Sequence, residues 1–314
     1  MKKYTIALSI IALALSACSQ SQAPAPTTAP PPKVADQPAN PPPPQSAQQM
    51  FAAKIDTVLA GAWREAANKA RDQYRHPKQT LEFFGLKPGM NLIEVTPGAG
   101  WYAEVLAPLM RDDGSYTAAI TIPKKPEGEA AQDKTAIEKM FAADPVQYDK
   151  AKVVQYDPKA PSLGAPNSAD MVVTFRNVHN WVMGDYASGM FKAFFDVLKP
   201  GGVLGVVDHR ATAGADLEKI KNSGYLPEDY VIKLATDAGF KLDAKSEINA
   251  NPKDDHDHPK GVWTLPPTLT LGDKDKDKYL AIGESDRMTL RFVKPESDKI
   301  FSAPADNAGK PAKN

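Results

Sequence analysis

Four groups of residues in this 314-residue chain have types and spacing suited to chemistry. Glu94 stands ahead of Thr96-Pro97-Gly98-Ala99-Gly100-Trp101, where two glycines one residue apart let the backbone pass close to a ligand, or simply make a tight strand-to-helix turn. Arg176 and Asn177 precede His179 in Asn177-Val178-His179-Asn180-Trp181. A neutral imidazole needs only a small shift in proton affinity to work as a base, although a histidine bonded within its loop would look the same in sequence. Asp208-His209-Arg210 sets an acid, an imidazole and a guanidinium in a row, as a second polar group for a site or as a structural cluster. Asp254-Asp255-His256-Asp257-His258 has donors a divalent metal would accept. Its neighbours Asn251-Pro252, Pro259 and the alternating Asp273–Lys278 run make a solvated loop the expectation, and no metal is assigned. Trp263 and Leu265-Pro266-Pro267 would dock that loop as a lid.

Composition removes several classes of function. One cysteine excludes an internal disulfide framework and Cys-rich metal sites. The 38 basic and 38 acidic residues balance, and no basic block offers phosphate a footprint, so nucleic acid is not an expected partner. Ala103 stands where a dinucleotide loop needs its third glycine, and no Gly-Lys-Ser/Thr follows to make a nucleotide triphosphate loop.

The elements that must position these groups alternate. Helical spacing runs from Gln49 to Asp72 and again over Pro77–Phe84; Asn91–Val95 reads as a short apolar strand, followed by a helix over Trp101–Met110. Further strands fit Tyr116–Thr121, Lys152–Tyr156, Asp170–Phe175 and Val203–Asp208, with helices near Ala130–Phe141, Gly184–Leu198 and Pro227–Ala238. Lys241–Asn249 and Arg287–Lys294 are strands without a helix between them. The pattern predicts an α/β, doubly wound, mostly parallel seven-stranded sheet of Rossmann-like type, ending in an antiparallel pair, with helices on both faces. Ligands of such sheets sit beyond the carboxyl ends of the strands.

Ile93 to Tyr102 resembles motif I of the class I S-adenosylmethionine-dependent methyltransferases, an acid followed by a Gly-x-Gly-x-Gly loop. Asp170–Trp181 is similar to that family's fourth strand and following loop, Leu198-Lys199-Pro200-Gly201-Gly202-Val203-Leu204 to its turn into strand five, and the last strand pair to its reversed hairpin. The resemblance covers about residues 75–295. It implies S-adenosylmethionine as cofactor, with Glu94, Thr96, Gly98, Gly100 and Trp101 on the methionine side, Thr121 and Asp157 at the ribose and adenine, and Arg176 and Asn177 at the end of strand four. His179 and His209 are then the candidate catalytic groups toward a small-molecule methyl acceptor. Two positions depart from the family: Thr96 replaces the first loop glycine, and Thr121 stands where a ribose-binding acid is usual. Asp157, before Pro158, also suits a simple turn. A non-catalytic envelope protein that binds a small ligand or a partner on the same fold is the other reading.

The ends of the chain read as an address. Lys2 and Lys3, an apolar run over Ile6–Leu15, and Ser16-Ala17 before Cys18 make a signal segment over 1–17, too short to span a bilayer. Leu15-Ser16-Ala17-Cys18 resembles the bacterial lipobox, which implies lipid on Cys18; Ser19 in place of Asp implies the outer membrane, facing the periplasm. Ten prolines in residues 19–50 then make 18–50 a lipidated, Pro-rich tether, with the globular domain over 51–300 and a polar tail over 301–314. Removal of Lys2 and Lys3 would leave 36 basic against 38 acidic residues. Contact with a membrane is expected through the lipid only.

Overall fold

The computed structural model describes residues 46–122 and 135–296. The expected signal segment, Cys18, the tether up to residue 45 and the tail over 301–314 lie outside the described residues, as does the start of the helix expected near Ala130.

Helix α1 (Ala47–Ala60) opens on Ser46, whose hydroxyl accepts from the Gln49 N–H while the Gln49 side chain accepts from the Ser46 N–H. It therefore starts ahead of the boundary at residue 51 that composition suggested. The helix expected to run on to Asp72 stops at Gly61, where a Cβ would lie 2.4 Å from the Trp63 ring. That indole crosses over the glycine to donate to the Glu104 carbonyl at 2.9 Å, so the chain continues only as the short turns α2 (Ala66–Lys69) and α3 (Asp72–Arg75). Helix α4 (Pro77–Phe84) has proline in its first turn and ends on Gly85 at φ +77°, with Leu86 N–H bonded back to the Leu81 carbonyl.

Strand and helix then alternate: β1 (Asn91–Val95), α5 (Ala103–Met110), β2 (Ser115–Thr121), α6 (Ala136–Ala143), α7 (Pro145–Tyr148), β3 (Lys152–Tyr156), β4 (Ala169–Phe175), α8 (Val178–Met183), α9 (Ala187–Val197) and β5 (Leu198–His209). There follow α10 (Leu217–Ile220), α11 (Glu228–Asp237), β6 (Lys241–Ser246), α12 (Lys276–Ile282) and β7 (Arg287–Val293). The seven strands form one sheet in the order β3-β2-β1-β4-β5-β7-β6. All neighbours are parallel except β7, which runs antiparallel to both β5 and β6.

Burial explains the order. Leu92, Ile93 and Val95 of β1 are buried on both faces, as a central parallel strand requires. Lys241, Leu242, Asp243 and Lys245 leave β6 largely exposed, the composition of a protected edge. Ile93, Val95, Val172, Leu204 and Val206 pack under α8, α9 and α11; Leu92, Tyr116, Ala118, Met171 and Val173 pack under α1, α4 and α5. On that second face a Cβ on Gly205 would lie 2.6 Å from the Phe84 ring, so glycine is what lets α4 lie against β5.

Candidate active site

The carboxyl ends of β1, β4 and β5 meet at the edge where the strand order reverses, and each ends in residues of chemical interest. β5 ends on Asp208 and His209. Asp208 is fully buried and accepts three hydrogen bonds: from Nδ1 of His179 at 2.8 Å, from the His179 backbone N–H at 3.2 Å and from the His209 N–H at 2.7 Å. A carboxylate can only accept, so the neutral His179 ring carries its proton on Nδ1 and presents the Nε2 lone pair. His179 reaches this position because α8 starts directly after β4, at Asn177.

His209, the second histidine expected to be catalytic, lies edge-on to His179 with ring centres 4.9 Å apart, and its Nδ1 is hydrogen-bonded to Ser285 Oγ. Burial, then the neighbouring His179 and Arg176, hold its pKa well below the usual histidine value. It stays neutral at physiological pH, which suits a fixed hydrogen-bonding group more than a proton carrier.

Both histidines line a cavity of about 190 Å³ together with Arg176, Trp263, Glu284 and Ser285. The far wall comes from the long segment between β6 and β7, through Val262, Trp263, Pro266, Pro267 and Thr268. Trp263 lies 5.9 Å from the His179 ring. The docking expected of Trp263 and the Leu-Pro-Pro run is therefore met. The solvated loop expected for 254–258 holds only in part: Asp255 and Asp257 are exposed, but Asp254 and the His258 side chain are buried, with His258 Nε2 bonded to Asp254 at 2.8 Å. Tyr225 OH and the Asp286 N–H also donate to Asp254, so this cluster fastens the segment from beneath.

One carboxylate of the cavity lining is ringed by arginines. Glu284 accepts from Arg71 Nε at 2.6 Å and from Arg75 Nε at 3.2 Å, and pairs with Arg287 at 3.1 Å. Burial pushes the Glu284 carboxyl up, but Arg287, Arg75, Arg176 and Arg71 outweigh it and hold it at about 2. Arg176, left-handed at φ +62°, has its pKa brought down to about 10 by burial and by Arg287 and Arg71, against the pull of Glu284. Of these groups Arg176 is expected from sequence, at the end of strand four, and Arg287 only as the start of the last strand; no site is expected at Glu284-Ser285-Asp286-Arg287, yet all four are buried.

The residues assigned to the cofactor divide. Thr96, Gly98 and Gly100 all have positive φ, at +56°, +61° and +91°, and a Cβ on Gly98 would meet nothing within 4 Å. Thr121 is exposed at the end of β2. Asn177 ties the ends of β1 and β4 together, its amide donating to the Val95 and Thr96 carbonyls at 3.1 Å each. The Thr96 hydroxyl is bonded to Tyr156 OH at 2.7 Å. Glu94 is turned into the core beside Tyr116, whose hydroxyl donates to it at 2.6 Å, and burial raises its pKa to about 7. Trp101 also points away from the glycine loop: its indole donates to the Asn68 carbonyl at 3.0 Å and lies under Arg75, because the short helices α2 and α3 pack there. Asp157 is exposed and accepts from the Lys159 N–H at 2.9 Å, the turn reading of its Asp-Pro context.

Neither protein-family models nor curated proteins give a match to this chain. Among solved structures, the [4+2]-cyclase SpnF is 17% identical, with 80% of this chain and 95% of that one covered and a TM-score of 0.51. A protein assigned as a sarcosine dimethylglycine methyltransferase of Galdieria sulphuraria is 13% identical, covering 78% and 98%, with a TM-score of 0.50. The strand order with β7 reversed decides the matter. This is the class I methyltransferase fold. At such identities the likeness is one of fold, and the two neighbours carry different names for their chemistry. Within the methyltransferase fold, the glycine turn after β1 and the histidine pair after β4 and β5 lie along one edge of the sheet.

Proposed function

We propose that the protein is an S-adenosylmethionine-dependent methyltransferase acting on a small-molecule acceptor. The observation that carries this reading is the buried Asp208–His179 pair beside a small cleft at the carboxyl edge of a methyltransferase fold. The glycine turn supports it, since Gly98 leaves open space beside β1 for a close ligand. Gly98, Gly100 and Thr121 would hold S-adenosylmethionine, which supplies an electrophilic methyl group when bound. Asp208 fixes the tautomer and direction of His179, and His179 Nε2 would accept the proton given up by the acceptor's nucleophile. His209 and Ser285 keep a neutral, hydrogen-bonded wall beside that proton path. Trp263 and the prolines after it limit water in the cavity.

A second reading, a non-catalytic binding protein on the same fold, is favoured by three contacts. Asn177 and the Thr96–Tyr156 hydrogen bond occupy part of the crevice beyond β1, and Glu94 is committed to Tyr116. Calorimetric titration of the full-length chain with S-adenosylmethionine and S-adenosylhomocysteine separates the two. Binding by both supports the enzyme, and His179→Ala should then spare binding while lowering transfer of labelled methyl. No heat at millimolar cofactor sinks it in favour of the binding protein.

We also propose that Cys18 anchors the protein to the outer membrane on its periplasmic side, as the lipobox-like sequence suggests. Each buried methylene of such an anchor contributes about 0.8 kcal/mol. Labelled palmitate should enter the wild-type chain, whereas Cys18→Ser should remain unlabelled and leave the membrane fraction; equal labelling of both would refute the anchor.

A further inference from the structure

The charges beside the His179 cavity are unbalanced: the four guanidiniums of Arg71, Arg75, Arg176 and Arg287 stand against the two carboxylates of Glu284 and Asp208. Arg71, Arg75 and Arg287 already surround the single carboxylate of Glu284. Arg176 adds a fourth guanidinium, lines the cavity, and makes no hydrogen bond or salt bridge through its side chain among the described residues. Arg75, itself almost wholly buried, has Nη2 without a partner, as has Arg71. The other nearby carboxylate, Asp208, takes three N–H donors and forms no ion pair with Arg176. A planar guanidinium with free donors in a half-dry site is suited to a bidentate oxyanion.

Size and wall chemistry narrow the ligand further. About 190 Å³ is below the roughly 300–1,000 Å³ of pockets for drug-sized ligands, which favours a small ligand. Val262, Trp263 and the two prolines give its lining an apolar part besides Arg176. We propose that this cavity binds a small oxyanion-bearing molecule, its carboxylate or phosphate on Arg176 and its far end at His179 Nε2. This rests on the methyltransferase reading only for the fate of the far end; the oxyanion site is a binding property and is tested without cofactor.

The full-length chain in detergent is titrated calorimetrically with propionate, inorganic phosphate and uncharged propionamide. Binding of propionate or phosphate, with propionamide inert, is expected, and whichever anion binds assigns a carboxylate or a phosphate ligand. Arg176→Gln should weaken that binding by about tenfold, the loss of one charge-assisted hydrogen-bonded pair. Equal binding of propionate and propionamide, no binding of either anion, or unchanged affinity in Arg176→Gln would each overturn the proposal. If Arg176→Gln fails to melt cooperatively, the propionate–propionamide comparison on the unaltered protein still decides. The parallel titration with S-adenosylmethionine keeps the two ideas apart. An anion bound without cofactor leaves this site standing and removes the methyltransferase; cofactor bound without any anion does the reverse.

Discussion

Glu94 shows how far one residue's role can move between sequence and structure. Its place before a glycine loop marks it for a cofactor, yet its side chain lies on the face of β1 that packs against Tyr116 and α5. Alternation along a strand decides that, and a motif does not encode which face its acid takes. Burial raises the carboxyl from 4.5 to about 7, the Tyr116 hydrogen bond pulling the other way. The folded state therefore holds a proton that the unfolded chain releases, so stability falls as pH rises from 4.5 to about 7 and is level above that, by about 3 kcal/mol at most. Glu94→Gln should flatten this limb, seen as a smaller difference in Tm between pH 5 and pH 8 than in the wild type. At Asp208 the expectation is a loss at every neutral pH. Asn in its place turns an amide N–H toward N–H donors, costing about 2 kcal/mol, or a Tm lower by about 4–8 °C. Differential scanning calorimetry measures both. His179 was legible because it follows β4; its partner was half legible, as Asp208 ends the next strand; Ser285 was not, since only tertiary pairing of β5 with β7 brings it alongside His209.

Elements were easier to read than their junctions. The parallel strands and the reversed final pair follow from period and composition, whereas the break at Gly61 comes from a tryptophan that satisfies its indole on another helix. The turn after β1 is a junction of this kind. Gly98 and Gly100 both have positive φ, but only Gly100 is crowded: a Cβ there would lie 2.5 Å from Met140 Sδ and 3.1 Å from Ile137 Cδ1, on α6. Gly98→Ala should cost about 1–2 kcal/mol, the backbone penalty alone. Gly100→Ala should cost more, because α6 must also shift, and a chemical-denaturation series should rank them in that order. The link between β1 and β4 is made by Asn177, whose amide reaches two carbonyls of the neighbouring strand end. Asn177→Ala should destabilise by about 1–3 kcal/mol by leaving them without those donors. A wild-type midpoint in that variant would mean that the tie carries little.

At the scale of the molecule, a formally neutral chain hides strong local separation of charge. The arginines around Glu284 come from α3, from the segment before it and from β7, far apart in sequence, so overall composition could not reveal them. Because Glu284 is held at about 2 in the fold, its contribution is full above 4.5 and is lost as pH falls toward 2. With Glu94 acting in the opposite direction above 4.5, the two contributions together are greatest near pH 4.5. Glu284→Gln should erase the acid-side loss while lowering stability at neutral pH, since three guanidiniums would then lack their shared carboxylate. Melting curves from pH 3 to pH 8 test both limbs.

The wall formed by Val262 to Thr268 has a bearing on descent and engineering. It is supplied by the excursion between the two strands at the reversed end of the sheet, while His179, Asp208 and Arg176 are set by the parallel core. The cavity wall and the Asp208–His179 pair are thus separate stretches of chain, joined through Asp254 and its tyrosine and histidine partners. Replacing that excursion would reshape the cavity while leaving the Asp208–His179 pair in place, which makes it the natural unit for grafting.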